Sequence, residues 1–135
     1  MRSWIFIAIL LFAFHLHSQN TKKLIGKWNW IEASGGISGD ITTPASSGKK
    51  IRIEFSKKGT YKEWENDKLV YAKPYKVEKI KRVNNEAPIE FIKYGTKSDQ
   101  MQQRISERFE FRGKDTLVLI QDCSDCYTSV YVKIK

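Results

Sequence analysis

From residue 20 onward apolar side chains fall at alternate positions, and that spacing constrains the fold more than any other feature of this 135-residue chain. No stretch keeps a three-to-four-residue apolar spacing for the ten or more residues that an average helix needs. Leu24, Gly26, Trp28 and Trp30 share one parity, as do Ile51, Ile53 and Phe55, while Lys50, Arg52 and Glu54 take the other. Successive side chains of a strand point to opposite faces, so these are half-buried strands. The pattern recurs in Thr60 to Asn66, Leu69 to Lys79 with Pro74 interrupting, Ile89 to Tyr94, Arg104 to Arg112, Thr116 to Gln121 and Tyr127 to Ile134, which makes eight strands.

Between the strands lie short turn signals: Lys57-Lys58-Gly59, Asn66-Asp67-Lys68, Arg82 to Pro88, Gly95 to Gln103 and Gly113-Lys114-Asp115. Short connections join antiparallel neighbours, so the strands are expected to meander. The fold class is therefore all-β, an eight-stranded antiparallel up-and-down barrel, with a two-sheet sandwich as the competing closure. One connection is longer. Ser34 to Gly48, rich in glycine and small polar residues, reads either as a mobile flap or as a connector without function. It is not a nucleotide loop, because Thr43 and Lys50 stand where glycine and a hydroxyl residue are needed around Gly48-Lys49.

The first 18 residues are of another kind. They carry one charge, Arg2, and an unbroken apolar run from Trp4 to Phe14, then His15, Leu16, His17 and Ser18. This is read as a secretory signal peptide, residues 1–18, with residues 19–135 as one barrel domain. The run is shorter than the ~20 residues of a membrane span. No cysteine follows the expected cleavage site, so no membrane anchor is expected, and the product should be periplasmic or secreted.

Export changes the chemistry available. The chain carries +9, near +8 without its leader, and both histidines leave with that leader. Without histidine, the usual imidazole base and His-bound zinc are unavailable. The two cysteines, Cys123 and Cys126, are expected to pair outside the cytoplasm as a loop clip between strands. Zinc there would need two further ligands, with only Asp122 and Asp125 near, so no metal is expected. Basic pairs such as Lys22-Lys23, Lys49-Lys50 and Lys57-Lys58 are dispersed, which suits solubility or weak attraction to anionic surfaces. No nucleic-acid partner is expected.

Leu24-Ile25-Gly26-Lys27-Trp28 resembles the Gly-x-Trp opening of lipocalins. The order of Leu24 to Trp30, the Ser34-Gly35-Gly36 loop with Thr43-Pro44, Phe55 through Gly59-Thr60-Tyr61, and Asp115-Thr116-Leu117 through Tyr131-Val132-Lys133 is similar to the bacterial lipocalin-like domain family. That resemblance implies a small secreted or envelope barrel. It also implies closure of one barrel end by Gly26, Trp28 and Lys133, with lysine where the family more usually has arginine. As a core residue, Trp28 is expected to cost about 3 to 5 kcal/mol when cut to Ala.

If Trp28 points inward, parity sends Trp30 and Glu32 inward as well. Ile53, Phe55, Tyr61, Leu69, Tyr71, Tyr75, Phe91, Phe109, Leu117 and Leu119 are the other inward candidates. Trp30, Ile53, Phe55, Tyr61, Tyr71, Tyr75, Phe91, Phe109 and Leu119 are the residues expected to line a ligand cavity, apolar with phenols interspersed. A filled core is the competing picture. Glu63 and Glu65 share the parity of Tyr61, so paired carboxylates are a further candidate site, unless a bulge shifts the register. The leading expectation is a binding protein for a small amphipathic or hydrophobic molecule, with no cofactor and no catalysis. A closed scaffold binding an envelope protein through its loops is the alternative, and an enzyme using Glu63 and Glu65 or a cysteine is a third reading.

Overall fold

A computed structural model describes residues 19–135 apart from 82, 84–85, 97–105, 122 and 124. The expected leader and most of the Gly95 to Gln103 connection lie outside the described residues. Strands β1 (Gly26–Gly35), β2 (Asp40–Thr42), β3 (Ile51–Phe55), β4 (Thr60–Glu65), β5 (Lys68–Ile80), β6 (Ile89–Tyr94), β7 (Ser106–Arg112), β8 (Thr116–Gln121) and β9 (Tyr127–Lys133) follow one another in order. Two short helices, α1 (Gln19–Leu24) and α2 (Pro44–Ser47), flank the first two strands. Setting β2 aside, each strand pairs antiparallel with its neighbour in sequence, and β9 pairs back onto β1. The result is a closed eight-stranded up-and-down barrel in one continuous sheet, not a sandwich. Closure pairs both edges of the eight barrel strands, and β2, which pairs only with β1, is the strand left at an edge.

The connections obey local backbone rules. Asn66 and Asp67 both have positive φ, 51° and 65°, which is the two-residue turn that matches the twist of a hairpin. The Ser34 to Gly48 connection is regular for most of its length. β1 runs on to Gly35 and pairs with β2, and Thr43 then caps α2. The Thr43 side chain accepts from the Ser46 N–H, and Ser46 Oγ accepts from the Thr43 N–H, at 3.2 and 2.9 Å. This is a reciprocal capping box.

One face of every barrel strand fills the interior. Leu24, Trp28, Ile53, Phe55, Ile92 and Leu117 are fully buried, and Trp30, Tyr61, Tyr94, Phe109, Leu119 and Tyr131 join them in one cluster. Three inward expectations are overturned by register. A bulge between Trp30 and Glu32 sets Glu32 opposite Val130 while Ala33 packs on the core, so Glu32 faces outward. On β5 a second bulge sets Glu63 opposite Tyr71 but Trp64 opposite Leu69. Leu69 is thereby turned to the outer face with Trp64 and is 48% exposed. On β6 the inward residues are Ile92 and Tyr94, so Phe91 lies on the outer wall, paired with Glu78 and Arg108.

Candidate functional site

The end of the barrel where β1 begins is plugged. Trp28 is completely buried, its indole N–H donates to the Leu24 carbonyl at 3.0 Å, and its ring lies 6.0 Å from that of Phe111. Lys133 Nζ sits 4.9 Å from the Trp28 ring centroid and donates to the Lys23 carbonyl at 3.3 Å. Lysine therefore makes the cation-to-ring contact despite lacking a planar guanidinium. Gly26 lets it through, because a Cβ there would stand 3.1 Å from Lys133 Cε, on a backbone with φ of 141°. The residues expected to close the barrel come together at this end.

The interior opens towards the other end. Tyr61 and Glu63 from β4, Tyr71 from β5, Tyr94 from β6 and Glu107 from β7 surround a cavity of about 180 Å³. Their convergence follows from register: Glu63 faces Tyr71 across the β4–β5 pair, and Glu107 faces Ile92 on the inward side of β6. The rings meet edge to face, with Tyr61 centroids 4.8 Å from Tyr94 and 5.9 Å from Tyr71. The Tyr61 hydroxyl donates to Glu63 Oε2 at 2.7 Å, and the Tyr94 hydroxyl donates to Glu107 Oε2 at 2.8 Å. Every lining residue ends in oxygen.

Electrostatics ties these groups into one unit. Burial pushes the Tyr61 phenol well above its ordinary value, and the charge and hydrogen bond of Glu63 push the same way. Burial does the same for Tyr94, reinforced by Glu107. The phenol of Tyr131, behind the cavity on β9, is raised first by burial and then by the charges of Glu107 and Glu63. Burial also raises the Glu107 carboxyl against the hydrogen bonds from Tyr94 and Gln121 that lower it, and the nearby charge of Glu63 adds to the rise. Gln121 in turn accepts from the Tyr127 N–H at 3.3 Å, across the loop in which Cys123 and Cys126 are bonded to each other.

No family model, curated protein or solved structure matches this chain. A barrel hosts many unrelated activities, so function rests on the site itself.

Of the residues expected to line a cavity, Tyr61 and Tyr71 do so. Trp30, Ile53, Phe55, Phe109 and Leu119 face inward but are spent on the packed core. Tyr75 packs beside Phe55, at 5.0 Å between centroids, and its hydroxyl donates to the Ser56 carbonyl at 2.9 Å, away from the cavity. Phe91 is on the outer wall. The expected carboxylate pair of Glu63 and Glu65 separates. Glu65 reaches the rim and binds Lys49 at 3.3 Å, while Glu63 faces the cavity together with Glu107. Trp64, out of phase in the sequence, stacks on the outer surface under Arg52, 4.8 Å from its ring centroid. None of the cavity-lining residues comes from the Ser34 to Gly48 connection. Glu107 and Tyr94 were missed, although Glu107 shares the parity of Phe109 and Phe111.

Proposed function

We propose that this chain is an exported, lipocalin-like, non-enzymatic binding protein that holds one small molecule in the cavity between Tyr61, Tyr71 and Tyr94. The observation that carries the reading is a cavity walled by aromatic rings and oxygen tips beside the packed core of the barrel. At about 180 Å³ it is smaller than the ~300 Å³ at the lower end of ordinary ligand pockets, yet exceeds the roughly 150 Å³ that accommodates benzene. The ligand is accordingly a compact amphipathic molecule. The apolar leader of residues 1–18 and the bonded Cys123 and Cys126 support a periplasmic or secreted site of action.

Saturation-transfer NMR with a mixture of compact neutral, cationic and anionic amphiphiles tests this reading. Saturable signals are expected from the parent protein and should vanish in Tyr71→Trp, which fills the cavity from its half-buried wall. Signals absent from the parent, or unchanged in the variant, would remove the binding reading. A second reading, a scaffold that docks an envelope protein through its loops, draws on Ile37 and Ile41, which are 94% and 66% exposed on the β1–β2 hairpin. Site-specific crosslinking from Ile37 to a single envelope protein would favour it.

A further inference from the structure

We propose that the ligand is a small organic cation, an amine or quaternary ammonium compound, held between Glu63 and Glu107 with its carbon skeleton against the rings of Tyr61, Tyr71 and Tyr94. This rests on the cavity being a binding site, and it names the chemistry that site selects.

The hydrogen-bond accounting is one-sided. A phenol has one proton to give, and Tyr61 and Tyr94 give theirs to Glu63 and Glu107. What these four groups still offer an occupant is lone pairs. A guest with N–H groups or a positive charge finds acceptors on all four, while an anion or a guest presenting only acceptors meets the Tyr71 hydroxyl as the one uncommitted donor among the described lining residues and otherwise finds unpaired oxygens, which is costly in a recessed site. Aromatic ring faces carry negative charge density, so the tyrosine walls add to the same preference.

The charge distribution points the same way. The chain has a large excess of basic residues, yet among the described residues no lysine or arginine lines the cavity. Lys49 is engaged with Glu65 at the rim, and Lys76 and Lys93 with Glu78 on the outer wall. The ammonium of Lys73 lies 5.2 Å from the Tyr71 ring centroid, so one of the lining rings already carries an ammonium contact. Two carboxylates facing one small space repel each other, and a cation between them removes that repulsion. The cavity volume corresponds to a guest of about six to eight non-hydrogen atoms.

Three probes of one shape separate charge from fit: choline, the neutral 3,3-dimethylbutan-1-ol and the anionic 3,3-dimethylbutanoate, each titrated calorimetrically into the processed protein. Choline should bind at least about tenfold more tightly than the alcohol, and the carboxylate should be weakest. Glu63→Gln and Glu107→Gln should each weaken choline by about fivefold or more, with a far-UV circular-dichroism spectrum like the parent's reporting an intact barrel in both variants. If the alcohol or the carboxylate binds as tightly as choline, the cation assignment is overturned and the binding cavity stands. If none of the three binds, both fall.

Discussion

At one end the barrel interior packs ring on ring, Trp28 6.0 Å from Phe111 and Phe55 5.0 Å from Tyr75; at the other, rings face carboxylates, Tyr61 on Glu63 and Tyr94 on Glu107. The same strands build both ends, and the same alternation points their side chains inward. Only the residue types at successive inward positions differ. The plugged end removes apolar surface from water, and its one covering charge, the Lys133 ammonium, meets the Trp28 ring and the Lys23 carbonyl, so it contributes stability. The open end shelters oxygens whose desolvation works against folding. Such groups are held beside a packed apolar core, and the contrast separates the part that maintains the fold from the part suited to binding.

The sharpest test of that division is Trp28→Ala. It empties a fully buried ring site and should cost about 3–5 kcal/mol in urea unfolding; a loss below about 1 kcal/mol would place the stability elsewhere. Gly35→Ala comes next and asks whether the wall at the open end is as rigid as the plug. Gly35 has φ of 152°, and an added Cβ would overlap the Cys126 carbonyl. A loss of about 1–3 kcal/mol is expected in thermal melts.

Glu107→Gln should have a smaller and pH-dependent effect. Tyr94, Glu63, Gln121 and Tyr131 surround this carboxyl, and burial raises it above the ordinary 4.5. The native state then holds a proton that the unfolded chain has released, so the group's favourable contribution is complete below 4.5 and is lost as pH rises through the folded value. The stability difference between variant and parent should therefore shift in the variant's favour as pH is raised from 4 to 8. A flat difference would mean that Glu107 is not held as described. The smallest effect is expected for Glu78→Gln on the outer wall. Hydrogen bonds from Lys76 and Lys93 lower that carboxyl to about 2, so its contribution is present above 4.5 and fades as pH falls through about 2. Exposure and salt screening keep it slight, and parent and variant should converge in acid unfolding.

The barrel was legible in the sequence because alternation repeats in every strand, and an error in one leaves the others intact. The site depended on details that alternation does not encode. Bulges at Ile31 and Val70 each insert one residue, which reversed Glu32 and Leu69. On β6 each parity holds two apolar residues and one charge, Ile89, Phe91 and Lys93 against Glu90, Ile92 and Tyr94, so composition alone could not choose between them. Glu107 was readable from Phe109 and Phe111. Its meeting with Glu63 was not, because that depends on the register across three intervening pairings. The plug, which pairs Trp28 on β1 with Lys133 on β9, was expected from the resemblance rather than from alternation.

The β1–β9 seam also bears on how the chain is made. Every other pairing in the barrel joins strands adjacent in sequence, but this one closes a loop of about a hundred residues, the most expensive closure in entropy. Until β9 is in place the polypeptide is an unfinished sheet with bare edges, and Trp28 lacks its lysine cover. Premature truncation there would yield a sticky, protease-sensitive product rather than a slightly weakened one.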